Sequence, residues 1–323
     1  MKIAIADSCN LKFSQDIKNH WEKKHEVKYE QGASEHLAQW ADLYYFDWSD
    51  NNIHYIMKLY KGRGEPANYP PDWDNNKKPL LAVRAIDWDV WVGYARSQEL
   101  VDFVDKWICI APHIEKKLRA EAVYKEGQLK VIRPGLNLAK WPLKTKQTDG
   151  FQLGMVLGDM WKYKNHMGGL DIFTTLYRQD NRWRFHIRGQ HENGTFDPIN
   201  WDYYLESRKI KDVVTLYPHQ EDMNEWLENI DILLHPGQKE GFCYAIAEAM
   251  AKGIPAVIND FYGSRDIWPK DVCLVYQIHS DAVRCINGIE KKEYPDNSYF
   301  RKYIEETYNV ERMLREYDSY LGT

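Results

Sequence analysis

The sequence predicts an α/β fold in which two doubly wound parallel-sheet domains follow one another along the chain. Short apolar runs alternate with stretches of helical periodicity, a pattern typical of parallel strands connected by helices. This alternating series occurs twice, and the polar, pattern-free residues 141–150 separate the two occurrences. In sheets of this kind ligands bind at the carboxyl ends of the strands. We therefore expect the functional residues in the loops that follow the strands, lining a cleft between the two domains.

The length and composition favour a soluble globular protein. At about 100–200 residues per domain, 323 residues fit two domains. The aromatic content of 14% argues against disorder. No apolar run approaches the ~20 residues of a membrane span, and residues 1–7 indicate a buried strand rather than a signal peptide. Five scattered cysteines without a C-x-x-C pair predict a reducing, cytoplasmic location with no disulfide framework and no zinc site.

In the first domain, five apolar runs predict the strands of one sheet. They cover residues 2–6, 43–46, 80–83, 107–110 and 129–132. Helical periodicity predicts helices at residues 13–24, 33–40 and 114–122. Residues 61–78 are rich in Gly and Pro and predict one long surface loop.

The second domain repeats this organisation. Its predicted strands cover residues 153–157, 184–187, 213–216, 232–234, 256–258 and 273–275. Its predicted helices cover residues 168–177, 200–206, 223–228 and 244–251. We place the first domain at 1–145 and the second at 146–296, and we expect the helical tail 297–323 to pack back toward the first domain.

Residues 233–258 (LLHPGQKEGFCYAIAEAMAKGIPAVI) carry the most chemical information. A buried strand ends near Leu234, and a helix runs from about Tyr244 to a left-handed cap at Gly253. Glu240 therefore lies at the helix mouth and Glu248 two turns further along one face. The backbone N–H groups of a helix start can hold a pyrophosphate or sugar hydroxyls. The alternative is an ordinary strand–loop–helix unit whose glutamates face water.

This stretch resembles the retaining GT-B glycosyltransferases of family 4, and further motifs follow in the order of that family. Residues 131–137 (VIRPGLN) are similar to its interdomain link, and Gly158 followed by Lys164 is similar to its phosphate loop. Residues 185–189 (FHIRG), 223–234 (MNEWLENIDILL) and 263–269 (GSRDIWP) resemble three more of its elements. The resemblance covers residues 131–276 well and the first domain only loosely.

The resemblance implies a GT-B fold and a role for each matching residue. Glu248 would hold the ribose of a sugar nucleotide, and Glu240 would bind the donor sugar. Lys164 would neutralise the departing diphosphate, where charge develops in the transition state; the alternative is a solvated lysine at a helix start. The remaining donor-site candidates are Gly158, Gly189, Gly241, Phe242, Cys243, Tyr244 and Arg265. Members of this family ordinarily need no metal, so we expect neither a metal nor another cofactor besides the sugar nucleotide.

Three positions depart from the family pattern. Asp159 stands where many members have an arginine, and Lys162 or Arg265 could supply the missing charge. Residues 7–10 (DSCN) replace a Gly-Gly loop, which puts the acceptor geometry in doubt. Asp87 stands near the position of a family histidine and could either contact the sugar or the acceptor, or cap the next helix.

The resemblance thus implies a retaining hexosyltransferase that uses a nucleoside diphosphate sugar, with uridine favoured, and a glycan or lipid-linked hydroxyl acceptor. Trp88 and Trp91 are the candidate acceptor platform. A hydroxylated base in DNA is an alternative acceptor, although the net charge of −5 speaks against it. A second alternative is a non-catalytic sugar-nucleotide or glycan-binding protein. The basic residues 114–125 could touch a membrane surface weakly or form a solvated helix face.

Overall fold

The computed structural model contains two compact units, and a few segments between the strands and helices stay outside its description. The first unit comprises Met1–Gly135 and Val310–Thr323, and the second comprises Leu136–Asn309. The described residues are 1–7, 14–47, 51–61, 78–86, 97–157, 162–189, 200–218, 222–268, 274–291, 293 and 297–323. Trp88 and Trp91 lie outside them, as do most of the predicted loop at 61–78 and residues 8–10.

The first unit is built on a six-stranded parallel sheet with the order β2-β1-β3-β4-β5-β6. The strands are β1 (Lys2–Asp7), β2 (Glu26–Glu30), β3 (Leu43–Asp47), β4 (Leu80–Ala85), β5 (Lys106–Cys109) and β6 (Leu129–Val131). The helices are α1 (Gln15–Trp21), α2 (Glu35–Trp40), α3 (Asn51–Lys61), α4 (Gln98–Phe103) and α5 (Pro112–Glu121). The central strands are almost wholly buried, as expected for a parallel sheet with helices on its faces.

The second unit repeats this architecture with the strand order β12-β11-β10-β7-β8-β9. Its strands are β7 (Gln152–Val156), β8 (Arg184–Arg188), β9 (Val214–Tyr217), β10 (Ile232–His235), β11 (Ala256–Asn259) and β12 (Leu274–Tyr276). Its helices are α6 (His166–Gln179), α7 (Trp201–Arg208), α8 (Met223–Glu228), α9 (Tyr244–Ala251), α10 (Ser264–Ile267), α11 (His279–Glu290) and α12 (Asn297–Thr307). The last helix of the chain, α13 (Val310–Leu321), belongs to the first unit.

The predicted fold class, two α/β units with parallel sheets, is confirmed. Side-chain caps mark several helix starts: the hydroxyls of Ser34 and Ser97 accept from amides in the first turns of α2 and α4, and Asp222 does the same for α8. The sequence prediction missed β2, α3, α4, α10 and α11. It also treated the tail as one helix, whereas the residues between α12 and α13 interrupt it.

The two units divide after Gly135, ten residues earlier than the sequence boundary at 145. The segment that follows is bound to the second unit. Lys144 Nζ lies 2.9 Å from Asp231 Oδ1 and donates to Ile230 O at 2.6 Å. The amides of Thr145 and Lys146 donate to Glu228 at 3.0 and 2.9 Å. Residues 141–150, which show no hydrophobic periodicity, are therefore held against the second unit by polar contacts rather than forming a flexible linker.

Helix α13 completes the core of the first unit. Val310, Met313, Tyr317 and Leu321 are buried against Ile3, Tyr45 and other residues of the sheet. Within the described residues, no helix is both long and apolar enough to cross a membrane. The basic side chains of α5 are partly neutralised in place, since Lys117 pairs with Glu121 and Arg119 with Glu115.

Candidate active site

The loops that follow β7 and β10 meet at the carboxyl edge of the second sheet. These two strands are adjacent and parallel, so both end at the same edge. The loops are also bonded to each other: Gln238 N donates to Tyr163 O at 2.7 Å, and Asn165 Nδ2 donates to Pro236 O at 3.3 Å. Bonds between two loops restrict both of them. Side chains carried by these loops therefore have well-defined positions.

Lys164 and Glu240 form an ion pair across these two loops. Lys164 ends a short 3-10 turn, Lys162–Lys164, and its Nζ lies 2.5 Å from Glu240 Oε1. Both side chains are largely withdrawn from water, with exposed fractions of 19% and 9%. The structure thus brings together the two residues that the resemblance assigns to the leaving group and to the donor sugar.

His235, the last residue of β10, lies on the other side of the Glu240 carboxylate. Its Nε2 is 3.3 Å from Glu240 Oε1, and its Nδ1 is 3.6 Å from Cys243 Sγ. Gly237 makes room for this arrangement, because a Cβ at that position would approach His235 Nε2 to 2.7 Å. The imidazole therefore bridges the thiol of Cys243 and the carboxylate of Glu240.

The pKa values of this cluster are coupled. Burial alone would raise the pKa of Glu240, but Lys164 and His235 outweigh burial and hold that pKa below its ordinary value. Burial lowers the pKa of His235, whereas Cys243 and Glu240 raise it by more. Burial likewise opposes the ammonium of Lys164, and Glu240 and Cys243 raise its pKa. The protonated side chains of Lys164 and His235 therefore both face the ionised carboxylate of Glu240.

His166 adds an uncharged ring beside this cluster. It is 5% exposed at the start of α6, next to Asn165, whose φ of 52° places it in the left-handed region. Burial, followed by the charges of Lys164 and His235, lowers the pKa of His166 to about 4. Its Nε2 has no hydrogen-bond partner among the described residues. The ring is therefore a neutral, buried group with an unused polar nitrogen.

Helix α9 begins directly after this cluster. Cys243 precedes it with φ 66° and ψ 84°, and no side-chain hydrogen bond caps the helix start. The first amides of a helix have no partner within the helix, and they carry the positive end of its dipole. Phe242 is buried against Trp268 and Tyr308, so its ring is a core residue, and Tyr244 packs edge-on against it. Glu248 lies half-buried in the second turn.

The remaining predicted site residues have different surroundings. Gly189 follows β8 with φ +149°, and a Cβ there would approach Leu157 O to 2.3 Å, so close packing against the end of β7 requires a glycine. Arg265 is paired with Asp260, its Nη2 2.5 Å from Oδ2. Asp87 and Gly158, like Asp159, lie outside the described residues.

Within the described part of the chain, His235, Glu240 and Cys243 form one group whose ligand atoms are close enough to share a metal ion, all within 4.8 Å. Lys164 Nζ lies 2.5 Å from Glu240 Oε1 in the same group. A cation bound to that oxygen would meet the ammonium at short range, which costs electrostatic energy. The cluster therefore suits an anion better than a divalent cation.

Sequence reasoning did not single out His235 or His166. Metal-ligand spacing does not reveal them, because His235 ends strand β10 and His166 begins helix α6, far apart along the chain. One signal was available: His235 ends a buried strand five residues before Glu240. His166 follows Lys164 by two residues, and only the left-handed turn at Asn165 brings its ring toward the cluster.

The glycosyl transferases group 1 family matches residues 143–309, which cover the second unit and this cluster. The chain belongs to this family. Among curated proteins, Protein CapJ of Staphylococcus aureus is 23% identical over 177 residues, which are 51% of this chain and 42% of CapJ. The chain thus spans half or less of the length of the curated relatives that it matches.

Solved structures with the same architecture cover nearly the whole chain. HepE of Anabaena, in complex with UDP and glucose, aligns with a TM-score of 0.72 at 13% identity and covers 100% of this chain and 99% of HepE. Sucrose-phosphate synthase from Thermosynechococcus elongatus aligns with a TM-score of 0.74 at 12% identity, covering 99% and 98% of the two chains. At such identities the likeness shows the fold, and the fold of both units is the GT-B fold of these glycosyltransferases.

Proposed function

We propose that this protein is a retaining glycosyltransferase that transfers a hexose from a nucleoside diphosphate sugar to a hydroxyl of a glycan or lipid-linked acceptor. The observation that carries the proposal is the Lys164–Glu240 pair at the carboxyl edge of the second sheet. Membership of the glycosyl transferases group 1 family supports it. A uridine nucleotide is the favoured donor, and the UDP complex of HepE, a protein of the same fold, is consistent with it.

The charges of the cluster suit a diphosphate leaving group. Transfer of the sugar leaves negative charge on a phosphate oxygen, and fixed positive groups near that oxygen stabilise the transition state. Lys164 and His235 supply such charge, while the neutral ring of His166 can add a hydrogen bond from its unpartnered Nε2. The positive end of α9 acts in the same direction. These groups could replace a divalent cation, so we propose a metal-independent reaction.

The two glutamates take different parts of the donor in this proposal. Glu240 accepts hydrogen bonds from hydroxyls of the sugar, and its depressed pKa keeps it ionised for this task. Glu248, in the second turn of α9, accepts from the ribose hydroxyls. The amides of Gly241, Phe242 and Cys243 lie between the two carboxylates in sequence and serve the phosphates. Binding of the diphosphate gives Lys164 a second anionic partner beside Glu240.

Retention of anomeric configuration follows from attack on the face that the leaving group departs from. In this mechanism the acceptor hydroxyl forms the new C–O bond as the sugar–phosphate bond breaks. The hydroxyl proton passes to the departing phosphate oxygen, so the reaction needs no dedicated protein base. The role of the cluster is then to stabilise the leaving group.

Ligand-induced stabilisation tests the donor site. We would measure thermal unfolding with UDP, GDP, ADP and their sugar conjugates. At about 100 times its dissociation constant, the true donor nucleotide adds about 2.7 kcal/mol to stability and raises the unfolding midpoint by several degrees. Glu248→Gln should abolish that rise. Glu225→Gln, on an exposed position of α8, is the matched control and should keep it.

Turnover then tests the reaction class. With the identified donor, we expect transfer or slow donor hydrolysis that persists in a chelator and yields the α-anomer from an α-linked donor. Lys164→Met should lower kcat at least ~100-fold, the scale seen when one charge-stabilising group is lost. Binding without turnover on any hydroxyl acceptor would instead support a sugar-nucleotide-binding protein, and an inverted product would contradict retention.

A further inference from the structure

The thiol of Cys243 has surroundings that differ from those of the other described cysteines. Cys109 is fully buried in β5, and Cys285 packs on α11 against the hydrophobic core of the second unit. Cys243 is half-buried, and its Sγ lies 3.6 Å from His235 Nδ1. That distance is within the range of a hydrogen bond to sulfur. Cys243 therefore has a nitrogen base at its sulfur.

His235 is in turn oriented by a carboxylate. Once the thiol proton has passed to Nδ1, both ring nitrogens carry a proton, and Nε2 lies 3.3 Å from Glu240 Oε1. Thiol, imidazole and carboxylate thus stand in the order Cys243, His235, Glu240. A nucleophile next to a base that a third group orients is the arrangement of an activated nucleophile. Gly237 keeps this order possible, because any Cβ there would press on the imidazole.

The position of Cys243 in the fold adds to this activation. It is the residue before the eight-residue helix α9, and its side chain makes no capping hydrogen bond. The positive end of a helix and nearby cations both favour a thiolate over a thiol. Lys164 belongs to the same cluster through Glu240. Cys285, half-buried like Cys243, packs against the hydrophobic core of the second unit and serves as an internal reference.

We propose that Cys243 is a modification site: a nucleophilic thiol, deprotonated by His235, that reacts with soft electrophiles and with peroxides. With a maleimide, sulfur forms a bond to an alkene carbon, and the proton taken by His235 passes to the neighbouring carbon. With hydrogen peroxide, sulfur bonds to one oxygen as the O–O bond breaks. Sulfur is oxidised to a sulfenic acid, the peroxide is reduced, and its second oxygen takes up the proton and leaves as water.

This inference deepens the proposed function, and the effect of modification on activity rests on that function. An adduct on Cys243 adds volume at the start of α9, three residues from Glu240, where the donor is proposed to bind. Modification would then close the donor site, and a bound nucleotide would shield the thiol. Oxidants or electrophiles would regulate transfer through this one residue.

Labelling kinetics of the full chain test the inference. Folded protein is pulsed with N-ethylmaleimide at neutral pH, quenched and digested, and each cysteine peptide is quantified by mass spectrometry. Cys243 should react at least ~10 times faster than Cys285, the scale of thiolate activation by a neighbouring base. In His235→Asn, the Cys243 rate should fall to within about threefold of the Cys285 rate. Cys285→Ser should leave the Cys243 rate unchanged.

Equal rates at Cys243 and Cys285, or a Cys243 rate that His235→Asn does not lower while the variant keeps its unfolding midpoint, would overturn the inference. If His235→Asn does not fold, hydrogen peroxide followed by a sulfenic acid probe replaces it, and labelling that favours Cys285 overturns the inference equally.

The donor nucleotide separates the inference from the function. UDP that slows labelling of Cys243 but not of Cys285 supports both. Fast labelling that no nucleotide slows supports the activated thiol and contradicts the proposed place of the donor site. In Cys243→Ser, activity after maleimide treatment should equal that variant's own untreated activity.

Discussion

Glu240 shows how a single carboxylate can organise a site. It is buried, and it is kept ionised because Lys164 approaches it from one loop and His235 from the end of a strand. The two cations come from separate parts of the chain, Lys164 from a 3-10 turn after β7 and His235 from the end of β10. Removing one cation leaves the other still paired, whereas removing the carboxylate leaves two buried positive charges facing each other. For this reason the stability of the cluster and the chemistry proposed for it both depend on Glu240.

Gly189 offers a test at the scale of one residue. Its φ of +149° is unfavourable for any side chain, and a Cβ would also lie 2.3 Å from Leu157 O. We expect Gly189→Ala to lower the free energy of unfolding by about 3 kcal/mol, since strain and a backbone clash act together. Gly150→Ala is the matched control, because Gly150 has φ +89° in the same unit and a Cβ there would meet no atom of the described residues within 4 Å. Its cost should be about 1 kcal/mol. Chemical denaturation measures both, and equal costs would contradict the clash.

At the scale of the element, the strands at the centres of the sheets were predictable, whereas one edge strand, β2, was not. β3 and β4 are continuous apolar runs because both of their faces are buried. β2 (EVKYE) lies at the edge of the first sheet, is half-exposed and carries three charged side chains. Such a sequence gives no signal for a buried strand. Its backbone pairing with β1 is what makes β2 a strand.

β8 carries a second elemental feature, the half-buried His186. Its Nδ1 lies 2.8 Å from Tyr217 Oη on β9, and its Nε2 lies 2.8 Å from Gln152 Oε1 on β7. Burial lowers the pKa of His186 to about 4 from an ordinary value of 6.5. The unfolded chain therefore binds a proton between pH 6.5 and 4 that the folded chain does not. Its contribution to stability is present above pH 6.5 and is lost as the pH falls toward 4.

We expect the free energy of unfolding to fall between pH 7 and pH 5, with His186 responsible for about 1–2 kcal/mol of that loss. His166, whose pKa is also lowered to about 4, acts in the same range. His186→Gln should keep the neutral hydrogen bonds in part and make the loss smaller by His186's share. The exposed His279→Gln is the control. Denaturant titrations at the two pH values decide, and an unchanged pH dependence in His186→Gln would contradict the assignment.

At the scale of the whole molecule, the order of the chain is not the order of the units. The chain builds the first sheet, then the second unit, and returns with α13 to the first. Met313 is 3% exposed there, and its sulfur accepts a hydrogen bond from the amide of Gly135 at 3.0 Å. The last fourteen residues therefore supply core to a sheet that began at residue 2.

Met313→Ala tests this return of the chain. Removing a buried methionine side chain costs about 2–4 kcal/mol, and the loss should be local to the first unit. Arg315→Ala, on the exposed side of α13, should stay within about 0.5 kcal/mol of the wild type. Hydrogen–deuterium exchange, measured peptide by peptide, reports the stability of the two units separately. We expect faster exchange in β1 and β3 but not in β7 and β10, and protection lost only in the second unit would contradict the packing of α13.

The sequence by itself determined the alternation of strands and helices, the two sheets and the helix start after Glu240, because these depend on local periodicity and on turn residues. It also pointed to Lys164 and Glu240, through the resemblance of their surroundings to the motifs of one family. Only the tertiary structure decided that their side chains touch, that His235 stands between Glu240 and Cys243, and that His166 stays neutral. Those facts depend on bringing separate loops to one sheet edge and on withdrawing their charges from water. No pattern along the chain encodes them, because the distances and the burial exist only after folding.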